Sequence, residues 1–242
     1  ALDFDRDLGR LMCPAIATLQ NHSMPKNHGE LLRTWESVGI VPDELSVTVL
    51  ALNVPVSGES LTDSMLRAHA IIGEPCRMTF RHLRLHPPTI EVATESPMFV
   101  CENPSILAIA AERLGSDSRP LICVEGQPNL ATWKLLATVT STGWKLAYHG
   151  DFDWGGIRIA NQIYDQLGFN PWRFDADNYR ENGEKRRLLG DATTDALWDS
   201  ELSRAMTANG SALEEEQVVE ARIQWQSALD NMDQDADELA PS

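Results

Sequence analysis

Between residues 98 and 174 short apolar runs alternate with helical patterns, and this alternation constrains the fold more than any other feature of the chain. Met98–Cys101, Leu121–Val124 and Lys145–Tyr148 read as strands, and Trp172–Phe174 as a short fourth. Between them, residues 104–114, 129–141 and 155–167 carry the 3.6-residue apolar period, the first opening with Pro104 at its first turn. Strands alternating with helices of roughly 10–15 residues mean βαβ units and a parallel sheet. The expected class is α/β, a parallel sheet flanked by helices, with a mixed α/β region before it and helices after it.

The earlier residues are less regular. Leu2–Leu19 and Glu30–Val38 read as helices, Val47–Val54 as a strand, and Leu61–Ile72 as a helix with Thr62 as its N-cap. Arg77–Leu83 fits either a strand or a helix start, and His86-Pro87-Pro88 ends it. The expected division is residues 1–92 as part of a larger or truncated domain and 93–242 as the main domain. Asp195–Ala208 and Ala212–Met232 read as further helices, followed by an acidic tail that looks disordered. The chain starts at Ala1 in what reads as the middle of a fold, so sequence preceding it is expected.

In parallel sheets ligands bind beyond the carboxyl ends of strands, and there the chemistry-bearing residues gather. Lys145–Tyr148 runs into His149-Gly150-Asp151-Phe152-Asp153-Trp154-Gly155-Gly156. In an extended segment Asp151 and Asp153 share a face while Phe152 turns away. Two such carboxylates repel unless a cation or a shared proton compensates; a turn whose Asp caps the next helix is the plain alternative. Glu102 closes the strand of Met98–Cys101 at the same edge. Three carboxylates there suit Mg²⁺, or Mn²⁺ in its place, as hard cations with oxygen ligands. Glu125, in Glu125-Gly126-Gln127-Pro128-Asn129, is a rival, although the segment reads mainly as a tight turn. Asp175 and Asp177 read as caps. Glu215, in Glu214-Glu215-Glu216-Gln217, is read as dipole-stabilising at a helix start and as a further metal ligand.

The net charge of −16 argues against free nucleic-acid binding, but it is unevenly spread. Basic residues cluster at Arg77, Arg81 and Arg84 and at Lys185, Arg186 and Arg187, and His149 precedes the acidic pair. These are the candidate contacts to a DNA backbone, beside the plainer readings of His149 as a hydrogen-bonded histidine at a strand end and of Lys185, Arg186 and Arg187 as solvated surface charge. Cys13, Cys76, Cys101 and Cys123 lack zinc spacing and read as buried thiols, which points weakly to a reducing cytoplasm. No run of 18 apolar residues exists, so no membrane partner is expected. P-loop, GxSxG, HExxH and GxGxxG patterns are absent.

Taken in order, Phe99-Val100-Cys101-Glu102-Asn103, Glu125-Gly126-Gln127-Pro128-Asn129 and the stretch from His149 to Ala160 resemble the Toprim domain of type IIB topoisomerase A subunits and their Spo11-like relatives. Within that group they look most like the C-terminal domain of Wadjet-type nuclease subunits, which act beside a condensin-like SMC complex in plasmid defence. The resemblance covers roughly residues 95–180 and implies Mg²⁺-dependent cleavage of double-stranded DNA, with Glu102, Asp151 and Asp153 as catalytic and metal-binding positions. It also implies SMC-complex subunits as partners and admits a homodimer. The topoisomerases attack with a tyrosine on a separate domain, whereas this chain has only Tyr148, Tyr164 and Tyr179, all within or beside the matching part. Hydrolysis by water, or a nucleophile on other sequence, would replace it. Two alternatives stand beside the nuclease: a non-catalytic DNA-docking or partner-binding module, and a metal-dependent small-molecule phosphatase.

Overall fold

A computed structural model describes residues 7–20, 23–25, 28–40, 43–93, 96–182, 187–190 and 193–215. The helices are α1 (Asp7–Leu19), α2 (His28–Glu36), α3 (Leu61–Ile72), α4 (Phe80–Leu85), α5 (Pro104–Leu114), α6 (Leu130–Ser141), α7 (Trp154–Leu167), α8 (Ala176–Asn182) and α9 (Leu202–Asn209). The strands are β1 (Thr48–Leu52), β2 (Cys76–Thr79), β3 (Met98–Cys101), β4 (Leu121–Cys123), β5 (Leu146–Tyr148), β6 (Asn170–Pro171), β7 (Arg187–Leu188) and β8 (Ser211–Ala212). The first six strands form one mixed sheet in the order β2-β1-β4-β3-β5-β6. β4, β3, β5 and β6 are mutually parallel, while β1 runs antiparallel to both β4 and β2.

The expected α/β class is therefore the observed one, with the sheet between helices. Alternation along each strand sets the two faces. Met98, Val100, Leu146 and Tyr148 point into the larger core with α6 and α7, whereas Phe99, Cys101 and Ala147 point to the α5 side. The chain leaves β3 for β4 on one side, then passes back over β3 to reach β5 on the other. Right-handed crossovers put the helices of opposite-going connections on opposite faces, which is why α5 stands apart from α6 and α7. That reversal makes the carboxyl ends of β3 and β5 the switch point of the sheet.

Several expectations need correction. β1 and β2, from before the expected division at 92/93, lie in one sheet with β3–β6, β1 pairing with both β2 and β4. The N-cap of α3 is Ser60, not Thr62. Its hydroxyl accepts from the Asp63 amide at 3.1 Å while Asp63 accepts from the Ser60 amide at 2.8 Å, a capping box. The ambiguous stretch from Arg77 is both things in turn, the end of β2 and then α4. The strand expected at Trp172–Phe174 lies two residues earlier. Trp172 still donates its amide to Tyr148 O at 2.8 Å, but Arg173 takes φ 51° and turns the chain out of the sheet.

The helix expected from Asp195 starts at Leu202, because side-chain bonds from distant elements hold the preceding residues in a loop. Asn161 binds Asp195 O and the Leu197 amide, and Asp199 accepts from the Ala176 amide. Residues 211–213 are extended rather than helical. Their backbone groups go to β7 and, through Leu213, to Phe152. The rest of the helix expected to Met232, and the acidic tail, lie outside the described residues. None of the four cysteines forms a disulfide, and all are buried. No helix of the described residues is long and apolar enough to cross a membrane.

Candidate active site

β3 delivers Glu102 and β5 delivers Asp151 to neighbouring positions at the switch point. The Asp151 amide donates to Glu102 Oε2 at 3.2 Å, so the two acidic loops are tied directly. Burial pushes the Glu102 carboxyl up to about 7, and the negative charges of Asp151 and then Asp153 add to this. The amide bond from Asp151 pulls the other way and does not offset them.

Glu215 joins this pair from the far end of the chain. It is fully buried. Its Oε2 accepts from the amides of Glu102 (3.0 Å) and Asn103 (2.6 Å), and its own amide donates to Asp151 Oδ1 at 2.6 Å. Just before it, Leu213 and Phe152 exchange both backbone hydrogen bonds, at 2.9 and 3.2 Å. The segment 211–215 thus straps the two acidic loops together. Sequence reasoning named Glu215 only as a metal ligand at a helix start; its bridging role depends on the extended path of 211–213.

Asp153 serves as a cap as well as a charge. It is the N-cap of α7, with Oδ1 accepting from the Gly156 amide at 2.8 Å. Gly156 is demanded by close approach: a Cβ there would lie 2.2 Å from the Asp151 carbonyl oxygen. Phe152 turns inward as alternation predicts, against His149, Phe174 and Tyr179 at ring-centroid distances of 5.5, 4.9 and 5.4 Å.

The other candidates fall elsewhere. Glu125 is held by both terminal nitrogens of Arg77, at 2.9 and 2.8 Å, which removes it as a rival acid. Arg81 and Arg84 both pair with Glu44, at 3.2 and 2.7 Å. The expected basic strip is therefore largely neutralised by its own neighbours. His149 is corrected outright as a DNA contact. It is fully buried, with Nδ1 2.7 Å from Trp172 O. Lys185, Arg186 and the side chain of Arg187 lie outside the described residues. Asp175 caps α8 as expected, accepting from the Asn178 amide at 2.8 Å.

Arg158 was missed. It is exposed on the second turn of α7, and no ion pair engages it among the described residues. A Cβ placed on Gly155 would lie 3.0 Å from Asp153 Oδ1 and 4.0 Å from an Arg158 guanidinium nitrogen, so this cation borders the acidic edge. The only signal in the sequence was its position five residues after Asp153.

Among the described residues no three His, Cys, Asp or Glu side chains form a ready metal cage. Mg²⁺ does not need one: it keeps several waters and binds through one or two carboxylates plus substrate phosphates. The donors available are all oxygen, the neighbouring imidazole is used internally, and Glu102 is pushed upward first by burial and then by the negative charges of Asp151 and Asp153. The residues present thus fit a hard divalent cation held by Glu102 and Asp151.

Residues 76–224 match a family model described as "Protein of unknown function C-terminus (DUF2399)", and residues 1–56 match one described as "Protein of unknown function N-terminus (DUF3323)". No curated protein matches the chain.

Proposed function

The chain belongs to the DUF2399 family, and from its acidic edge we propose that it is a Mg²⁺-dependent endodeoxyribonuclease. The observation that carries this reading is the meeting of Glu102 and Asp151 at the β3/β5 switch point, where two carboxylates crowd in a partly buried place. Mg²⁺ or Mn²⁺ bound there would polarise the scissile phosphate and supply an activated water. Glu102 and Asp151 would hold the ion. Asp153 would face it with the carboxylate that also starts α7, and Glu215 would keep the two loops in register. Arg158 would meet the DNA backbone, a contact that needs charge and not sequence.

Water as the attacking group is favoured by the tyrosines. Tyr148 is fully buried. Tyr179 is also buried, and its hydroxyl donates to Ser211 O at 2.6 Å. Tyr164 packs its ring on Phe169 and Trp198. Tyr148 and Tyr179 are closed off from a phosphodiester, and Tyr164 sits toward the end of α7 remote from the acidic edge at its start. The resemblance to Toprim domains and to Wadjet-type subunits supports the same activity, and on it rests the finer proposal of plasmid defence beside an SMC complex.

A second reading has its own observation. Arg77, Arg81 and Arg84 are each engaged by a carboxylate, which favours a docking module whose DNA is held by partner subunits. Incubation of supercoiled plasmid with Mg²⁺ or Mn²⁺, beside the Asp151→Asn variant and an EDTA control, separates the two. Metal-dependent nicking or linearisation lost in the variant is the expected result. Cleavage that persists in the variant would overturn the assignment.

A further inference from the structure

Tyr148 is the last residue of β5, and its side chain lies beneath the acidic edge with no exposed surface. Among the described residues its hydroxyl has no hydrogen-bond partner. Buried phenols normally find an acceptor, because an unmade bond carries the full desolvation cost of the group. The hydroxyl is not isolated from acceptors. A Cβ built on Gly150 would lie 3.1 Å from it and 2.7 Å from Glu102 Oε2, so the two oxygens flank one small notch that glycine leaves open. The charges of Glu102 and Glu215 act on the phenol, adding to burial in pushing its pKa well above the ordinary tyrosine value. Glu102 Oε2 is the acceptor that faces the hydroxyl across this notch, whereas Glu215 Oε2 is taken up by two amides.

Resting on the proposed nuclease reading, we propose that Tyr148 is a positioning residue: in the working state its hydroxyl donates a hydrogen bond across the Gly150 notch to the Glu102 carboxylate. The bond fixes which Glu102 oxygen faces into the protein and leaves the other for the cation. Tyr148 touches no substrate and acts through Glu102 alone. Gly150 is part of the device, since any side chain there would fill the notch.

The test uses the whole chain labelled at tyrosine ¹³Cζ, which reports phenol hydrogen bonding. Three signals are expected, and the one lost in Tyr148→Phe identifies Tyr148. Glu102→Gln, which weakens the acceptor, shifts that signal more than Asp151→Asn, which removes a neighbouring charge but keeps the acceptor. No shift, or equal shifts in the two variants, overturns the proposal whether or not the chain cleaves DNA. In the plasmid assay Tyr148→Phe lowers the turnover rate about tenfold, the size expected for a hydrogen bond to a charged group, and adds nothing to the loss in Glu102→Gln. An unchanged rate in Tyr148→Phe also overturns it. A wild-type chain that neither cleaves nor binds Mn²⁺ would remove the nuclease reading, and the tyrosine signal would still decide the role of Tyr148.

Discussion

At the scale of single residues the acidic edge is a place where stability is given up for chemistry. The Glu102 carboxyl titrates near 7 instead of its ordinary 4.5. Below pH 4.5 it is protonated whether the chain is folded or not. Between 4.5 and 7 the folded form keeps a proton that the unfolded form has released, so stability falls as pH rises through this window and stays low above it, by up to about 3 kcal/mol. Glu102→Gln, neutral at every pH, should flatten this slope in metal-free denaturant titrations and be the more stable protein at pH 8, while losing cleavage. A wild-type stability that is level from pH 5 to 8 would contradict the crowding. Asp153 can be divided into its two roles. Asp153→Asn keeps a good N-cap and should melt within about 0.5 kcal/mol of wild type, whereas Asp153→Ala should cost about 1 kcal/mol; both should cut activity if the charge matters for cation binding. The charge pattern of these residues was legible in the sequence because alternation alone puts Asp151 and Asp153 on one side. The cap on α7 was legible too, as the plain alternative. What could not be read was the burial of His149, since a polar residue at a strand end carries no mark of which side chains will close over it.

At the scale of elements the informative piece is the strap at 211–215. Helical spacing suggested that these residues open a helix, and α5 and α3 show how well such spacing works when contacts are local. The strap follows no local rule: its partners at the acidic loops are Phe152, Asp151, Glu102 and Asn103, all more than 60 residues away in sequence, and its first two residues pair with β7. A long-range pairing of two residues leaves almost no periodic trace. Two expectations belong here. Phe152→Ala empties the aromatic cluster between β5 and the strap and should cost about 3–5 kcal/mol in urea unfolding. Glu215→Ala should impair cleavage more than Glu215→Gln, because glutamine keeps a carbonyl oxygen for the amides of Glu102 and Asn103; equal losses in the two would mean that the charge matters rather than the bridge.

For the whole molecule, the order β2-β1-β4-β3-β5-β6 puts the catalytic candidates at the middle of the sheet and the neutralised arginine strip toward one flank. With a formal charge of −16, the chain alone should hold DNA weakly, and Arg158→Ala should weaken it further in fluorescence-anisotropy titrations with Ca²⁺ while leaving Mn²⁺ affinity intact. Saturating Mg²⁺ should raise the melting temperature of wild type and not of Asp151→Asn. The gain follows mass action, about 2.7 kcal/mol at one hundred times the dissociation constant.

The placement of β1 has a consequence for how such chains are inherited. This strand belongs to the segment matching the N-terminal family, 1–56, yet it is wedged between β2 and β4 of the segment matching the C-terminal one, 76–224. A recombination point between the two segments would not exchange a removable module; it would swap one rung from the middle of a ladder. Donor and recipient would have to agree in register at Leu50–Leu52 against Leu121–Cys123, or the hybrid would expose an unpaired parallel core to other chains. The two segments should therefore travel together through lineages, and fragments expressed from residue 76 onward should aggregate where the longer chain does not.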